Sequence, residues 1–158
     1  LAEGEPARKI AFLYTPSLYF SLPEDIRKDA YCFDYDKKWE SDRGFVFYDF
    51  NSPTEVPSDL INKLDMVVID PPFIVHDVWR KYAETARLLL KPGTDANNVP
   101  LGKAVCTTVI ENEPLLTELL GAKATQFQPS IPNLVYQYNL FTNYPSDIYA
   151  QVNPEIPQ

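Results

Sequence analysis

The chain has 158 residues, with 14 Lys and Arg against 22 Asp and Glu, and a formal net charge of −8. That length fits one ordinary domain, and the hydrophobic share of 45% is enough for a core. The acidic balance argues against tight nonspecific binding to nucleic acid, which needs Lys and Arg against phosphates, and no apolar run approaches the ~20 residues of a membrane-spanning helix.

The opening LAEGEPARK lacks the apolar stretch of a signal peptide. There are 15 Pro and only 5 Gly, and few glycines means few loops that cradle phosphate. With 10 Tyr, 9 Phe and 2 Trp the chain is dense in aromatics, a composition that points to packed loops and pockets. Cys32 and Cys106 lie inside apolar runs and read as buried core thiols in a reducing, intracellular setting. Two Cys and one His are too few for a structural zinc site, so no metal is expected.

In chain order, KIAFLYT (residues 9–15) reads as a buried strand ending in the turn Thr15-Pro16-Ser17. Residues 23–29 suit a short helix with Pro23 in its first turn. YCFDYD (31–36) and FVFYDF (45–50) read as the second and third strands, and residues 56–63 as a short helix with Ser58 as cap. LDMVVID (64–70) is the most apolar strand, stopped by Pro71-Pro72. Val78, Tyr82, Ala86 and Leu89 recur at helical spacing and predict the longest helix, ending near Leu90. Residues 94–100 form a polar loop before the strand KAVCTTVI (103–110). Asn112 is placed to cap a helix over 113–120, with Pro114 in its first turn and Gly121 past its end. Two strands close the pattern, 124–128 and 136–142, separated by PSIPN; from Ser146 the chain reads as a surface tail.

Strands alternating with helices imply a mostly parallel sheet covered on both faces. The final pair leaves no room for a helix between them and should be antiparallel. Ligands of such sheets bind outside the carboxyl ends of the strands, so the residues that end strands carry the information: Thr15 to Ser17, Asp34 and Asp36, Asp49, and Asp70-Pro71-Pro72-Phe73. Asp favours turns on its own account, but acids end three successive strands. In Asp70-Pro71-Pro72-Phe73 two prolines fix the backbone and remove two N–H donors. Such a loop can present Asp70 and a main-chain carbonyl as paired acceptors to an amino group, with Phe73 as an aromatic wall.

This segment resembles the [N/D]PP[Y/F] motif of amino-directed, S-adenosylmethionine-dependent methyltransferases. IAFLYTPSLY, CFDYDKKW, FVFYDFNSP, LDMVVIDPPF and LLGAKATQFQPSIPNLVYQY together resemble the elongation factor 1A lysine methyltransferase 1 family, over about residues 9 to 144. Members of that family were first labelled adenine-N6 DNA methyltransferases. The resemblance implies a Rossmann-like class I α/β fold with a seven-stranded sheet and antiparallel C-terminal strands. It also implies a single catalytic domain over residues 1–158, lacking the family's N-terminal helical segment. It carries Asp70, Pro71, Pro72 and Phe73 over as the catalytic loop. Thr15, Pro16 and Ser17 fall at the methionine end of S-adenosylmethionine, where other methyltransferases place a glycine-rich turn. Asp34, with Asp36 as second choice, falls at the ribose, and Asp49 and Phe50 near the adenine. The implied substrate is a protein lysine, on elongation factor 1A, for a cytoplasmic monomer without membrane attachment.

An adenine-N6 nucleic-acid methyltransferase is the competing enzyme, although only Lys37, Lys38 and Arg43 approach a basic stripe. A non-catalytic adaptor that keeps the fold is the competing class. His76 reads as a helix-start residue near the cleft mouth, and Trp39 and Trp79 as packing residues. Asn139, Asn143 and Tyr144 stand near the last strand as possible substrate contacts.

Overall fold

The computed structural model describes residues 8–71, 74–127 and 138–145. Its elements are β1 (Ile10–Leu13), α1 (Pro16–Ser21), α2 (Glu24–Arg27), β2 (Ala30–Asp34), β3 (Phe45–Phe47), β4 (Met66–Ile69), α3 (His76–Leu89), β5 (Lys103–Val109), α4 (Glu113–Leu120), β6 (Lys123–Ala124) and β7 (Tyr138–Thr142). The strands form one sheet in the order β3-β2-β1-β4-β5-β7-β6. Five strands run parallel, and β7 pairs antiparallel with both β5 and β6. This is the seven-stranded, Rossmann-like arrangement that the sequence implies.

Alternation along the strands assigns the two faces. Ala11, Leu13, Phe33, Val67, Ile69, Ala104 and Cys106 pack in one large core with Trp79, Tyr82 and Leu89 of α3 and Leu115 and Leu116 of α4. Phe12, Ala30 and Cys32 face the other way and close on Tyr19 of α1. Complete burial of a large side chain such as Trp79 or Leu89 contributes ~1.5–3 kcal/mol, so the long apolar stripe of α3 anchors the central strands. Both cysteines are free and buried, and burial pushes the Cys32 thiol up to about 12. Among the described residues no helix is long and apolar enough to cross a membrane.

Local chemistry explains where elements depart from the sequence reading. Thr15-Pro16-Ser17 forms no simple turn: it opens α1, with Pro16 at the first helical position, where its missing N–H costs nothing. The second strand stops at Asp34, and Asp36 instead caps the 3-10 turn Lys37–Trp39 by accepting from the Lys38 N–H. The third strand stops at Phe47. The expected helix over 56–63 is a single 3-10 turn, Ser58–Leu60, preceded by Pro57 in place of a Ser58 cap. Gly121 ends α4 as expected, with φ 67, and its N–H and that of Ala122 reach back to Thr117 and Leu116. PSIPN and the tail from Ser146 lie outside the described residues.

Candidate active site

The strand order reverses between β1 and β4, since β2 and β3 lie to one side and β5 to the other. A crevice opens at the carboxyl ends of strands flanking such a point. In register, Leu13 stands opposite Ile69, so the next residues, Tyr14 and Asp70, leave the sheet side by side. The Tyr14 N–H donates to the Phe33 carbonyl at 3.0 Å and the Asp70 N–H to the Leu13 carbonyl at 3.4 Å, which extends the ladder past the strand ends.

On the β2–β3 side of this point lies a cavity of about 300 Å³ lined by Tyr14, Tyr35, Tyr48, Asp49, Phe50, Asn51 and Tyr82. Five of these seven are aromatic, a lining suited to a flat base. Phe50 stacks on Tyr82 with centroids 5.7 Å apart, and Tyr35, 64% exposed, leans on Phe47 at 5.5 Å. Tyr48 shares a 2.6 Å hydrogen bond with Thr85, whose hydroxyl also lies 2.8 Å from the Pro53 carbonyl, so α3 is tied to the loop that carries Asp49 and Phe50. Burial pushes the Tyr48 phenol up to about 12 and raises that of Tyr82 further. Both therefore act as neutral walls.

The residues expected to hold a cofactor divide in three. Asp49 and Phe50 line the cavity; one Asp49 oxygen accepts from the Asn51 N–H at 2.9 Å, which folds the loop under the carboxylate. Thr15 and Asp34 do not line it, but each is next in the chain to a residue that does, Tyr14 and Tyr35, and each is only 5% exposed. The Asp34 carboxylate accepts from the Asp36 N–H at 2.8 Å, while the buried Thr15 hydroxyl has no hydrogen-bond partner, a situation that calls for a ligand or water. Asp36 turns away: its oxygens accept from the Lys38 N–H at 3.0 Å and pair with the Lys38 ammonium at 3.4 Å. Pro16 and Ser17 form the first turn of α1 behind Thr15.

On the other side of the reversal stands Asp70. Its residue is exposed, yet protein crowds the carboxyl enough that burial raises its pKa, opposed by the Thr107 hydroxyl. Asp70 in turn raises the Tyr138 phenol, after burial, which sets the last strand beside the loop. Pro71 is buried; Pro72 and Phe73 lie outside the described residues. The loop returns at Ile74, whose carbonyl accepts from the Asn112 side chain at 2.8 Å; the same amide donates to Thr108 at 2.9 Å. Asn112 thus stands at the start of α4 but does not cap it. His76 opens α3 and lines a second cavity of about 480 Å³ with Val75, Glu111 and Asn112, the helix-start position expected of it.

Trp79 is fully buried and Trp39 stacks on Phe20 at 4.8 Å, both as packing residues. Asn139 is buried at the upper end of β7, paired with Thr108. Asn143 stands at the amino end of β5, where it bonds the Ala104 N–H and the Gly102 carbonyl, at the opposite end of the strands from Asp70. Tyr14, Tyr35, Tyr48, Asn51 and Tyr82 were not singled out by the sequence. The available signal was that Tyr14 and Tyr35 directly follow strands and that the chain is rich in aromatics.

The comparisons with known proteins agree with this geometry. A family model described as "Probable N6-adenine methyltransferase" matches residues 1–146. The protein named EEF1A lysine methyltransferase 1 of Mus musculus is 35% identical over 153 residues, covering 93% of this chain and 66% of the mouse protein. Its Homo sapiens counterpart is 33% identical over 152 residues, with 93% and 66% covered. The chain therefore spans just under two thirds of the length of these curated relatives. A solved structure of a type 11 methyltransferase from Sulfolobus solfataricus superposes with a TM-score of 0.50 at 13% identity, over 89% of this chain and 86% of that one, a likeness of fold alone. With its matched model, its relatives and its sheet order taken together, the chain belongs to the family described as probable N6-adenine methyltransferase.

Proposed function

We propose that this chain is the catalytic domain of an enzyme that methylates a lysine ε-amine of a protein, elongation factor 1A, with S-adenosylmethionine as donor. The observation that carries the reading is the pairing of Asp70, from a strand-end Asp-Pro-Pro-Phe loop, with the aromatic cavity on the other side of the strand reversal. The choice of lysine rests on relatives named EEF1A lysine methyltransferase 1 and on the net charge of −8, which suits a basic protein segment better than a polyphosphate. A cytoplasmic monomer is part of the proposal.

The residues present suit the cofactor. Asp49 and Phe50 would hold its adenine among the tyrosine rings, Asp34 its ribose hydroxyls, and the unpartnered Thr15 hydroxyl, with Pro16 and Ser17, its amino-acid end. S-adenosylmethionine supplies a methyl group already activated by the sulfonium charge, so the protein has mainly to align the acceptor. Asp70, with a main-chain carbonyl of its loop, accepts hydrogen bonds from the amine and points its lone pair. A lysine has a pKa of about 10.4 in water and attacks only as the free amine. A carboxylate favours the ammonium, so Asp70 orients the amine and is not its strong base; the proton leaves to water. Phe73, by sequence, supplies a wall for the lysine stem.

The family description favours a second reading, transfer to adenine N6. One experiment separates the two: incubation of the enzyme and radiolabelled S-adenosylmethionine with cell-extract protein and, in parallel, with DNA and RNA. Label in a lysine of elongation factor 1A is expected. Label in nucleic acid alone overturns the proposal.

A further inference from the structure

We infer that Tyr14 is a direct contact for the nucleoside half of the cofactor, held for that purpose in a backbone conformation that tyrosine rarely adopts; the inference rests on the reading of the aromatic cavity as the S-adenosylmethionine site. Tyr14 has φ 63, in the left-handed region. The Cβ of an L-residue crowds the following carbonyl there, so bulky residues avoid it. Among the described residues, the other positive φ values belong to Asn62, Asn98, Gly93 and Gly121. Those are the types that tolerate the region. Tyr14 is the one exception.

The chain could make the same turn without strain. It uses glycine where only backbone freedom is needed, as at the end of α4. A glycine after β1 would satisfy the hydrogen bond from residue 14 to the Phe33 carbonyl equally well, since that bond involves the main chain alone. What glycine cannot supply is the ring. The ring is not core material either: Tyr14 is 41% exposed and borders the cavity with Asp49, Phe50 and Tyr82. The next residue carries the buried Thr15 hydroxyl with no partner. Strained backbone, an aromatic ring presented to a cavity and an orphaned hydroxyl thus coincide at one turn. Strain that persists beside a pocket points to a role in binding. The glycine shortage of the first turn is therefore a substitution of function: the tyrosine closes the cavity wall where a glycine would leave it open.

The test is calorimetric titration of the full chain with S-adenosylhomocysteine, alongside thermal melts without ligand, for wild type, Tyr14→Phe, Tyr14→Ala and Tyr14→Gly. Tyr14→Phe keeps the ring and should bind within about threefold of wild type, whereas Tyr14→Ala and Tyr14→Gly should weaken binding by about tenfold or more. Tyr14→Gly should also melt above Tyr14→Ala, because only glycine relieves a positive φ. Wild-type binding matched by Tyr14→Gly overturns the role of the ring and leaves the cavity assignment standing. Equal melting of the glycine and alanine variants overturns the strain. No binding by folded wild type overturns the cofactor reading and this inference with it.

Discussion

The side-chain amide of Asn112 donates to the main-chain carbonyl of Ile74 at 2.8 Å, so the residue before α4 holds the chain as it leaves the Asp70 loop. The same amide reaches the Thr108 hydroxyl at the end of β5. One buried side chain therefore fixes the loop exit to two elements. Asn112→Ala leaves a carbonyl and a hydroxyl without their donor, which costs ~1–3 kcal/mol. Denaturant unfolding should show that loss. Steady-state kinetics should show kcat reduced by ~10-fold or more, because small errors in placing an acceptor are costly, with the KM for the cofactor little changed.

Asp70 carries opposed demands. Burial raises its pKa in the folded chain. Its contribution to stability is present below its unfolded pKa, ~3.9, and is lost as pH rises through the higher folded value. At neutral pH the carboxylate thus destabilises the fold. Asp70→Asn should melt above wild type at pH 7, with the difference vanishing below about pH 4. The same variant, and Asp70→Ala, should lose transfer by ~100-fold or more while binding S-adenosylhomocysteine within about threefold of wild type. Wild-type turnover in either variant would remove Asp70 from the mechanism.

Thr85 couples the cavity to α3. Its hydroxyl lies between the Tyr48 phenol and the Pro53 carbonyl. Thr85→Val keeps the shape and removes both partners, at a cost of ~1–3 kcal/mol. Since Tyr48 is then released from one side of the cavity, titration should also find S-adenosylhomocysteine bound ~3–10-fold more weakly.

Tyr19 and Asp42 set acid stability on the far side of the sheet. Burial works to raise the Asp42 carboxyl, but the Tyr19 hydroxyl at 2.5 Å and the Gly44 N–H hold it below the usual range. The resulting stability is present above the unfolded pKa, ~3.9, and is lost as pH falls through the folded one. Tyr19→Phe should lower stability at pH 7 by ~1 kcal/mol and flatten its decline on acidification, as read from melts between pH 2 and 6. Gly44 cannot accept a side chain here: a Cβ would strike the Tyr19 hydroxyl and lie 2.8 Å from the Ala30 carbonyl. Gly44→Ala should cost ~1–3 kcal/mol.

Much of this architecture is legible in the residues. The runs that became β1, β4 and β5 are apolar and bounded by polar or proline residues, and the spacing of Val78, Tyr82, Ala86 and Leu89 marks α3. The exit Thr15-Pro16-Ser17 reads as a turn because proline ends strands; the same proline also starts helices, and tertiary packing of Tyr19 decides between them. Asp36 follows Asp34 at the two-residue spacing of a continuing strand, but its own side chain ends the extended run by capping the next turn. The cavity walls were harder to see. Tyr82 has the spacing of a core residue and serves in both places. Nothing in a tyrosine codon announces a left-handed backbone at position 14.

The placement of β7 between β5 and β6 has a consequence for biosynthesis. A ribosome delivers β5 long before residues 138–142, and β6, which emerges in between, pairs with β7 and not with β5. For that interval the outer edge of β5, seven residues of largely buried strand, has no neighbour to satisfy its main-chain groups. Such an edge recruits other strands. The nascent domain therefore stays adhesive until residues 138–142 are translated, and a stop codon or ribosomal stall shortly before residue 138 would yield a product prone to aggregate.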